Sequence, residues 1–422
     1  MRVLWIAQNG GNYRHEGLER SGGWIGAMQD KLMAENADID LGIVFLSDRD
    51  GEELREGRVT YMPVLFPECK WRRRYPFRNL TLESPSEDVR IARLIKRKAD
   101  SFNPDIIHVW GSENNIASVI PLLNKPFAVH IQGLATLFSI AYFPPGFSKA
   151  DLKAASPLWK PSGLVKRLLR ADDYSRYLSF LRQAERERRI AAYVKNWIGR
   201  TDWDREAVRA LSPGSKYFHC EEVMRSDFEG ENWSYHFEGT LNLQSNIGPQ
   251  WYKGVDMVLR TAALLKEKGV PVHWRVNGIH SRQKMAGYIS RKLGIVPGDV
   301  GVEFCGRTQA EGIKEGLLAC DAYVHPSYAE NSSNAIAEAM MLGVPTIAQR
   351  VGGNPTMLKD GSGVLVEAGH PELMASAIME MRDRATAEGY SVRARDVAGS
   401  RQDGQRTAKE LLHIYETVLK GQ

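Results

Sequence analysis

Two rhythms of apolar and polar positions take turns along this chain. Short apolar runs such as RVLWIA (2–7), LGIVFL (41–46), DIIHVW (105–110), FAVHIQG (127–133) and YVKNWIGR (193–200) read as strands, several of them continuous as in parallel sheets. Between them, GGWIGAMQDKLMAEN and SEDVRIARLIKRKADSF carry apolar residues three to four positions apart, the spacing of a helix with one buried face. The second half repeats the scheme. After HFEGTLNL comes the helix GVDMVLRTAALLKEKG, with Gly269 and Pro271 as its stop. Then follow VHWRVNG, VGVEFCG, the helix EGIKEGLLAC, AYVHPS, a helix from Asn334 to Leu342, PTIAQ, GVLVE and a closing amphipathic helix, QRTAKELLHIYETVL.

Strands alternating with helices predict α/β architecture with doubly wound sheets. A chain of 422 residues exceeds one ordinary core, so two such domains facing across a cleft are expected. The first is expected to span residues 1–225, with a mostly helical, Lys- and Arg-rich insertion at about 147–190. The polar, weakly patterned stretch 226–234 reads as a linker and 235–398 as the second domain. Residues 399–422 form a last helix expected to pack back on the first domain. In such sheets ligands bind beyond the carboxyl ends of the strands.

Composition, 43% hydrophobic and 25% charged, is that of a globular protein. No tract of 18 apolar residues occurs, so no transmembrane helix is expected. The apolar start MRVLWIAQNGG meets glycine too soon for a signal peptide and reads as a first buried strand. Cys69, Cys220, Cys305 and Cys320 show neither C-x-x-C nor zinc-like spacing, which fits a reduced, cytoplasmic compartment. The net charge of +5 is uneven. Residues 1–200 hold 31 Lys and Arg against 23 Asp and Glu, whereas the remainder is slightly acidic. The two halves are therefore expected to meet different partners.

The chemistry concentrates in HPSYAENSSNAIAEAMMLGVPTIAQRVGGNP, residues 325–355. A strand ends at His325-Pro326, and Ser332 or Ser333 can cap the helix that begins at Asn334. The amides of such a helix start form an anion site. Glu330 lies in the loop before them, and Glu338 one turn in, on the face of Asn334. Acid, anion site and acid match in order the sugar hydroxyls, pyrophosphate and ribose hydroxyls of a nucleoside diphosphate sugar. The plain alternative is one capping and one solvated Glu, but an unpartnered acid on so apolar a helix is costly.

This stretch resembles the retaining glycosyltransferases of family 4, which have the GT-B fold. Their hallmark is E-x7-E, then A-x-x-x-G-x-P and a Gly-Gly loop. Glu330, Glu338, Ala339, Gly343, Pro345, Gly352 and Gly353 stand in those places. The resemblance extends from residues 302–327 through 360–378. It implies that Glu338 binds the donor ribose, Glu330 the hydroxyls of the transferred sugar, and the loop at Gly306, Arg307 and Thr308 the base. In WYKGVDMVL, Lys253 occupies the place of the family's diphosphate-binding Lys at a helix start, an exposed surface Lys being the alternative. The Arg that usually precedes it is missing from NLQSNIGPQWYKG, which leaves a second diphosphate cation to be found, Arg307 being one candidate.

In the first half, SGGWIGAMQDKL resembles the family's glycine loop facing the donor phosphate, through Gly22 and Gly23; an ordinary turn is the alternative. His130 falls where the family has a His or a carbonyl near the transferred sugar, or is simply a core residue. VHIQG and NWIGRTDWDR are similar to a subset that builds capsule and other bacterial surface polysaccharides.

No G-x-G-x-x-G, Walker A loop or H-E-x-x-H is present. Two D-x-D sequences, Asp48/Asp50 and Asp202/Asp204, match the manganese motif of GT-A transferases but read equally as a turn and a helix start. No metal or cofactor is expected. The expectation is a metal-independent transferase moving a sugar from a nucleotide donor to a glycan or lipid-linked glycan. A nucleotide-sugar epimerase and a non-catalytic carbohydrate-binding scaffold are the alternatives. CKWRRRYPFRNL (69–80) and LWKPSGLVKRLLR (158–170) interleave aromatics with cations, which suits an anionic membrane face better than nucleic acid. Peripheral docking on the inner face of the cytoplasmic membrane is the expectation, and a plainly solvated basic surface is the alternative.

Overall fold

The computed structural model describes residues 1–14, 23–36, 38–47, 51–65, 85–155 and 173–421. These form two compact units. The N-terminal unit runs to Ser139, resumes after an excursion to end at Met224, and takes back the chain from Gln402. The second unit contains the segment beginning at Ile140 and Arg225–Arg401.

Eight strands make the N-terminal sheet: β1 (Arg2–Ala7), β2 (Asp40–Ser47), β3 (Leu54–Glu56), β4 (Val59–Leu65), β5 (Ile106–Trp110), β6 (Phe127–His130), β7 (Asn196–Gly199) and β8 (Lys216–His219). Their order is β3-β4-β2-β1-β5-β6-β7-β8. All pairings are parallel except β3 with β4. The apolar runs become strands because both faces are covered. Beside α1 (Gly23–Glu35), this unit carries α2 (Pro85–Phe102), α3 (Asp173–Ala191) and α4 (Asp202–Leu211). Ile91, Ile95 and Ile190 pack one face of the sheet. Ile25, Met28 and Leu32 pack the other, with Leu411 and Tyr415 of the last helix. The Tyr415 hydroxyl accepts from Trp5 Nε1 at 2.9 Å and meets His108 Nδ1 at 2.6 Å, which fixes that helix to this unit.

The second sheet is wholly parallel, in the order β11-β10-β9-β12-β13-β14. Its strands are β9 (Leu241–Asn246), β10 (Val272–Asn277), β11 (Val302–Gly306), β12 (Ala322–His325), β13 (Thr346–Gln349) and β14 (Val364–Val366). The helices are α5 (Val255–Glu267), α6 (Lys284–Leu293), α7 (Ala310–Leu318), α8 (Asn334–Met341), α9 (Pro371–Glu380) and α10 (Arg384–Arg401), before the last helix α11 (Gly404–Lys420) returns to the first unit. Strand order reverses at β9, so the topological switch point lies between β9 and β12.

Two expected boundaries fall elsewhere. The segment after Ile140 was expected inside the first domain but joins the second unit. Phe147 packs on Trp251 with ring centroids 5.7 Å apart, and the Asp151 carboxylate accepts from Tyr288 and Lys292. Residues 226–234, expected as a linker, are anchored in the same unit. There Phe228 and Trp233 are buried, and Trp233 Nε1 donates to the Cys320 carbonyl at 2.7 Å. A polar average had concealed two large aromatic anchors. Among the described residues no helix is long and apolar enough to cross a membrane.

Candidate active site

The site is built where β12 ends. His325 is the last residue of that strand, and the chain then loops through Glu330 into α8. Two glycines bring the parts together. Gly254 has φ +80°, and a Cβ there would lie 2.0 Å from the Pro326 carbonyl oxygen. Only glycine lets the turn that carries Lys253 press against the end of β12. Gly352 has φ +51°, and a Cβ there would meet the Glu330 carbonyl oxygen at 1.7 Å. The Gly353 amide donates to that same carbonyl. The Gly-Gly loop thus holds the backbone of Glu330.

One oxygen of Glu330 is doubly served. Its Oε2 accepts from Lys253 Nζ at 2.7 Å and from His325 Nε2 at 2.9 Å. Tyr323 stands behind His325, its hydroxyl 3.0 Å from Nδ1. Burial keeps the Tyr323 phenol protonated, well above its ordinary range. It therefore donates to Nδ1, which places the imidazole proton on Nε2, facing the carboxylate. Burial pushes His325 down from the ordinary histidine range, against the upward pull of Glu330, so the ring is neutral. Burial alone would raise the pKa of Glu330, but the Lys253 ammonium and the His325 bond outweigh it and hold the acid at about 2. Oε1 has no protein partner among the described residues. The result is a fixed negative charge with one oxygen to spare.

Glu338, eight residues on, differs. It lies buried in the middle of α8, and burial raises its pKa. Among the described residues its one ion pair comes from Arg225, whose Nη2 donates to Oε1 at 2.6 Å. Arg225 belongs to no motif read in the sequence and was missed; the one signal was that a buried acid needs a partner, which does not say where in the chain it lies. His325 was equally overlooked, although it stands in AYVHPS at a strand end. Its signal was its position five residues before Glu330.

Ser333 takes the N-cap position of α8, but its side chain caps nothing. Its amide points at the Met357 sulfur, 3.1 Å away, and the Ser332 hydroxyl lies 3.7 Å from that sulfur. Sulfur is a weak acceptor, and the first amides of α8, from Asn334 on, have no partner within their own helix. The start of α8 keeps its capacity for an anion, without the expected serine cap.

Arg307 lies exposed in the loop after β11. Next to it, Thr308 Oγ1 donates to Asn277 Oδ1 at 2.8 Å, and Asn277 Nδ2 donates to Asn246 Oδ1 at 2.9 Å. Side-chain hydroxyl and carboxamides thus line the carboxyl ends of β9 and β10.

The remaining expected residues lie in the N-terminal unit. Gly22 falls outside the described residues, as do Asp48, Asp50 and both aromatic-basic segments. Gly23 opens α1 at φ +54°, with nothing within 4 Å of where a Cβ would point. His130 ends β6, fully buried, stacked on Trp110 at 4.7 Å and His108 at 5.3 Å. Burial, followed by the neighbouring His108, pushes its pKa well below the ordinary range. Of the second D-x-D, Asp204 is the third residue of α4, whose N-cap is Thr201. It closes a capping box with Thr201 and accepts from the Arg200 amide and the Tyr217 hydroxyl. Those bonds occupy the carboxylate that a metal would need.

Residues 243–383 match the family "Glycosyl transferases group 1". That stretch holds Lys253, Tyr323, His325, Glu330 and Glu338, and Arg225 falls outside it. A D-inositol 3-phosphate glycosyltransferase of Corynebacterium kroppenstedtii is 32% identical over 183 residues, 40% of this chain and 39% of that relative. The chain thus aligns with about two fifths of that relative's length. Sucrose-phosphate synthase from Thermosynechococcus elongatus superposes over 100% of both chains, with a TM-score of 0.68 at 15% identity. HepE of Anabaena, solved in complex with UDP and glucose, covers 98% of this chain and 99% of its own, with a TM-score of 0.59 at 13% identity. The fold is GT-B.

Proposed function

We propose that this protein is a glycosyltransferase that takes a sugar from a nucleoside diphosphate sugar. The observation that carries the reading is the Lys253–Glu330–His325 cluster beside the open amides of α8, with Glu338 one helical turn on. In this reading Lys253 and those amides receive the diphosphate, Oε1 of Glu330 receives a hydroxyl of the sugar, and Glu338 receives the ribose. Charge grows on the diphosphate as the glycosidic bond breaks, so donors already in place there lower the barrier. The family match over this region and a UDP complex on the same fold support the nucleotide donor. Retention of anomeric configuration follows the family resemblance.

The acceptor in this reading is a glycan or lipid-linked glycan of bacterial surface polysaccharide synthesis, reached with no metal. The excess of cations in the first 200 residues supports an anionic acceptor and a peripheral position on the inner face of the membrane. A thermal-shift panel of nucleotide sugars tests the donor half. A ligand at 100 times its Kd stabilises by about 2.7 kcal/mol, so the true donor stands out. No stabilisation by any nucleotide sugar overturns the reading.

A further inference from the structure

Two donors meet on one oxygen of Glu330, and they differ in mobility. Lys253 approaches on a four-carbon stem from a 3-10 turn, and its side chain keeps 19% of its accessible surface. His325 sits in the last position of β12, only 2% accessible, with Nδ1 tied to Tyr323. One donor can swing away and the other cannot. We propose that His325 is a positioning residue that keeps the Glu330 carboxylate ionised and aimed when Lys253 leaves it for the diphosphate of the donor. The inference rests on the nucleotide-sugar reading above.

The physical need is plain. A diphosphate carries more charge than a carboxylate and competes for the ammonium. Once Lys253 moves, Glu330 is a buried acid without a cation, the situation that drives a carboxyl to take up a proton. A protonated Glu330 donates where it should accept, and its free Oε1 loses the orientation a sugar hydroxyl needs. The Nε2–H of His325 prevents both, because a hydrogen bond to the charged form favours it. The charged or titratable groups facing this imidazole are Tyr323 from its own strand, Glu330 from the loop and Lys253 from the turn before α5. From α8, Glu338 lies near Tyr323. β9 and β13, which flank β12, contribute no ionisable side chain.

The test compares His325→Leu, His325→Gln and the unaltered protein in two assays. The probes are UDP and GDP by calorimetry, and release of the same nucleotides from UDP-glucose and GDP-mannose. His325→Leu is expected to bind nucleoside diphosphate within about twofold of the unaltered protein and to release it from the sugar nucleotide roughly 10- to 100-fold more slowly, as for a lost bond to a charged group. His325→Gln can place an amide N–H where Nε2–H stood, and is expected to recover most of the rate. A Leu variant at full rate overturns the inference, as does a Gln variant no faster than Leu at the same unfolding temperature. Equal losses of nucleotide binding and rate would mark a merely structural histidine and also overturn it. If no nucleotide sugar of the thermal-shift panel binds the unaltered protein either, the nucleotide-sugar reading falls, and this inference with it; if a donor other than these two binds, the same comparison is run with its nucleoside diphosphate.

Discussion

The loop ahead of α8 and the helix itself each carry one acid, and burial opposes the charge of both. Glu330 is nonetheless held at about 2, whereas Glu338 is raised. The difference lies in the partners. Glu330 has a Lys and a neutral His on one oxygen, both from residues that glycine contacts force into place. Glu338 has one Arg, itself nearly a third exposed. A buried carboxylate is held below its ordinary range when two donors are built around it, and stays above that range when one partly exposed donor reaches it. The first arrangement suits a group whose charge must be constant during a reaction. The second suits a group that exchanges a protein partner for a ligand hydroxyl.

The comparison is sharpened most by removing the cation that separates the two acids. Lys253→Ala should lower turnover by about 10²–10³-fold, the cost of losing one donor to charge that develops in the transition state. Nucleoside diphosphate binding should fall less. Steady-state kinetics beside calorimetry checks this, and equal losses would make Lys253 a binding contact only.

Glu330→Gln tests the low side directly. A carboxyl lowered from 4.5 to about 2 adds stability above its unfolded value and loses it as pH falls through the folded one. At pH 7 that contribution is on the order of 3 kcal/mol, at about 1.36 kcal/mol per pKa unit. The variant should unfold earlier in denaturant at pH 7, with the gap narrowing below pH 4.5. For Glu338 the sign reverses. Its raised pKa costs stability at neutral pH, so Glu338→Gln should be neutral or slightly stabilising. A parallel pH trend in the two variants would end the contrast.

Much of this contrast was legible in the sequence, and the reasons for the remainder are specific. Glu330 and Glu338 stood out by their places around a helix start and Lys253 by its place at another, while the Gly352–Gly353 loop and the roles of all of them came from the family resemblance. The strands RVLWIA and AYVHPS were equally plain, since parallel strands covered on both faces must be apolar throughout. What spacing cannot show is a partner brought from far away in the chain. Arg225 lies 113 residues from Glu338, and Lys253 lies 77 from Glu330. A direct Lys253–Glu330 pair was therefore not foreseen, although both residues were. The serine cap failed locally, since the Ser333 side chain accepts no amide of α8 and its own N–H lies against the Met357 sulfur.

Glu338→Ala should weaken nucleoside diphosphate binding by about 1.5–3 kcal/mol, the range for hydrogen bonds to charged groups, and leave turnover at saturating donor almost intact. Calorimetry with the diphosphate that gives the largest thermal shift measures it. Unchanged affinity would remove the ribose from Glu338 and reduce that acid to a partner for Arg225.

The smallest effect expected is that of Arg225→Ala, because two consequences oppose each other. Losing the guanidinium frees Oε1 of Glu338 for a ribose hydroxyl, which favours binding. Losing the ion pair with Arg225 also lets burial raise the pKa of Glu338 further, and a protonated acid accepts poorly. A partly exposed pair is worth about 0.2–1 kcal/mol, so at pH 8 the affinity should change by no more than severalfold. The pH dependence is more informative. As pH falls, the variant should lose affinity at a higher pH than the unaltered protein, because its Glu338 takes up a proton sooner. Binding isotherms between pH 5 and 8 decide it. Identical pH profiles would mean that Arg225 does not set the charge of Glu338, and the single-partner account of that acid would have to be given up.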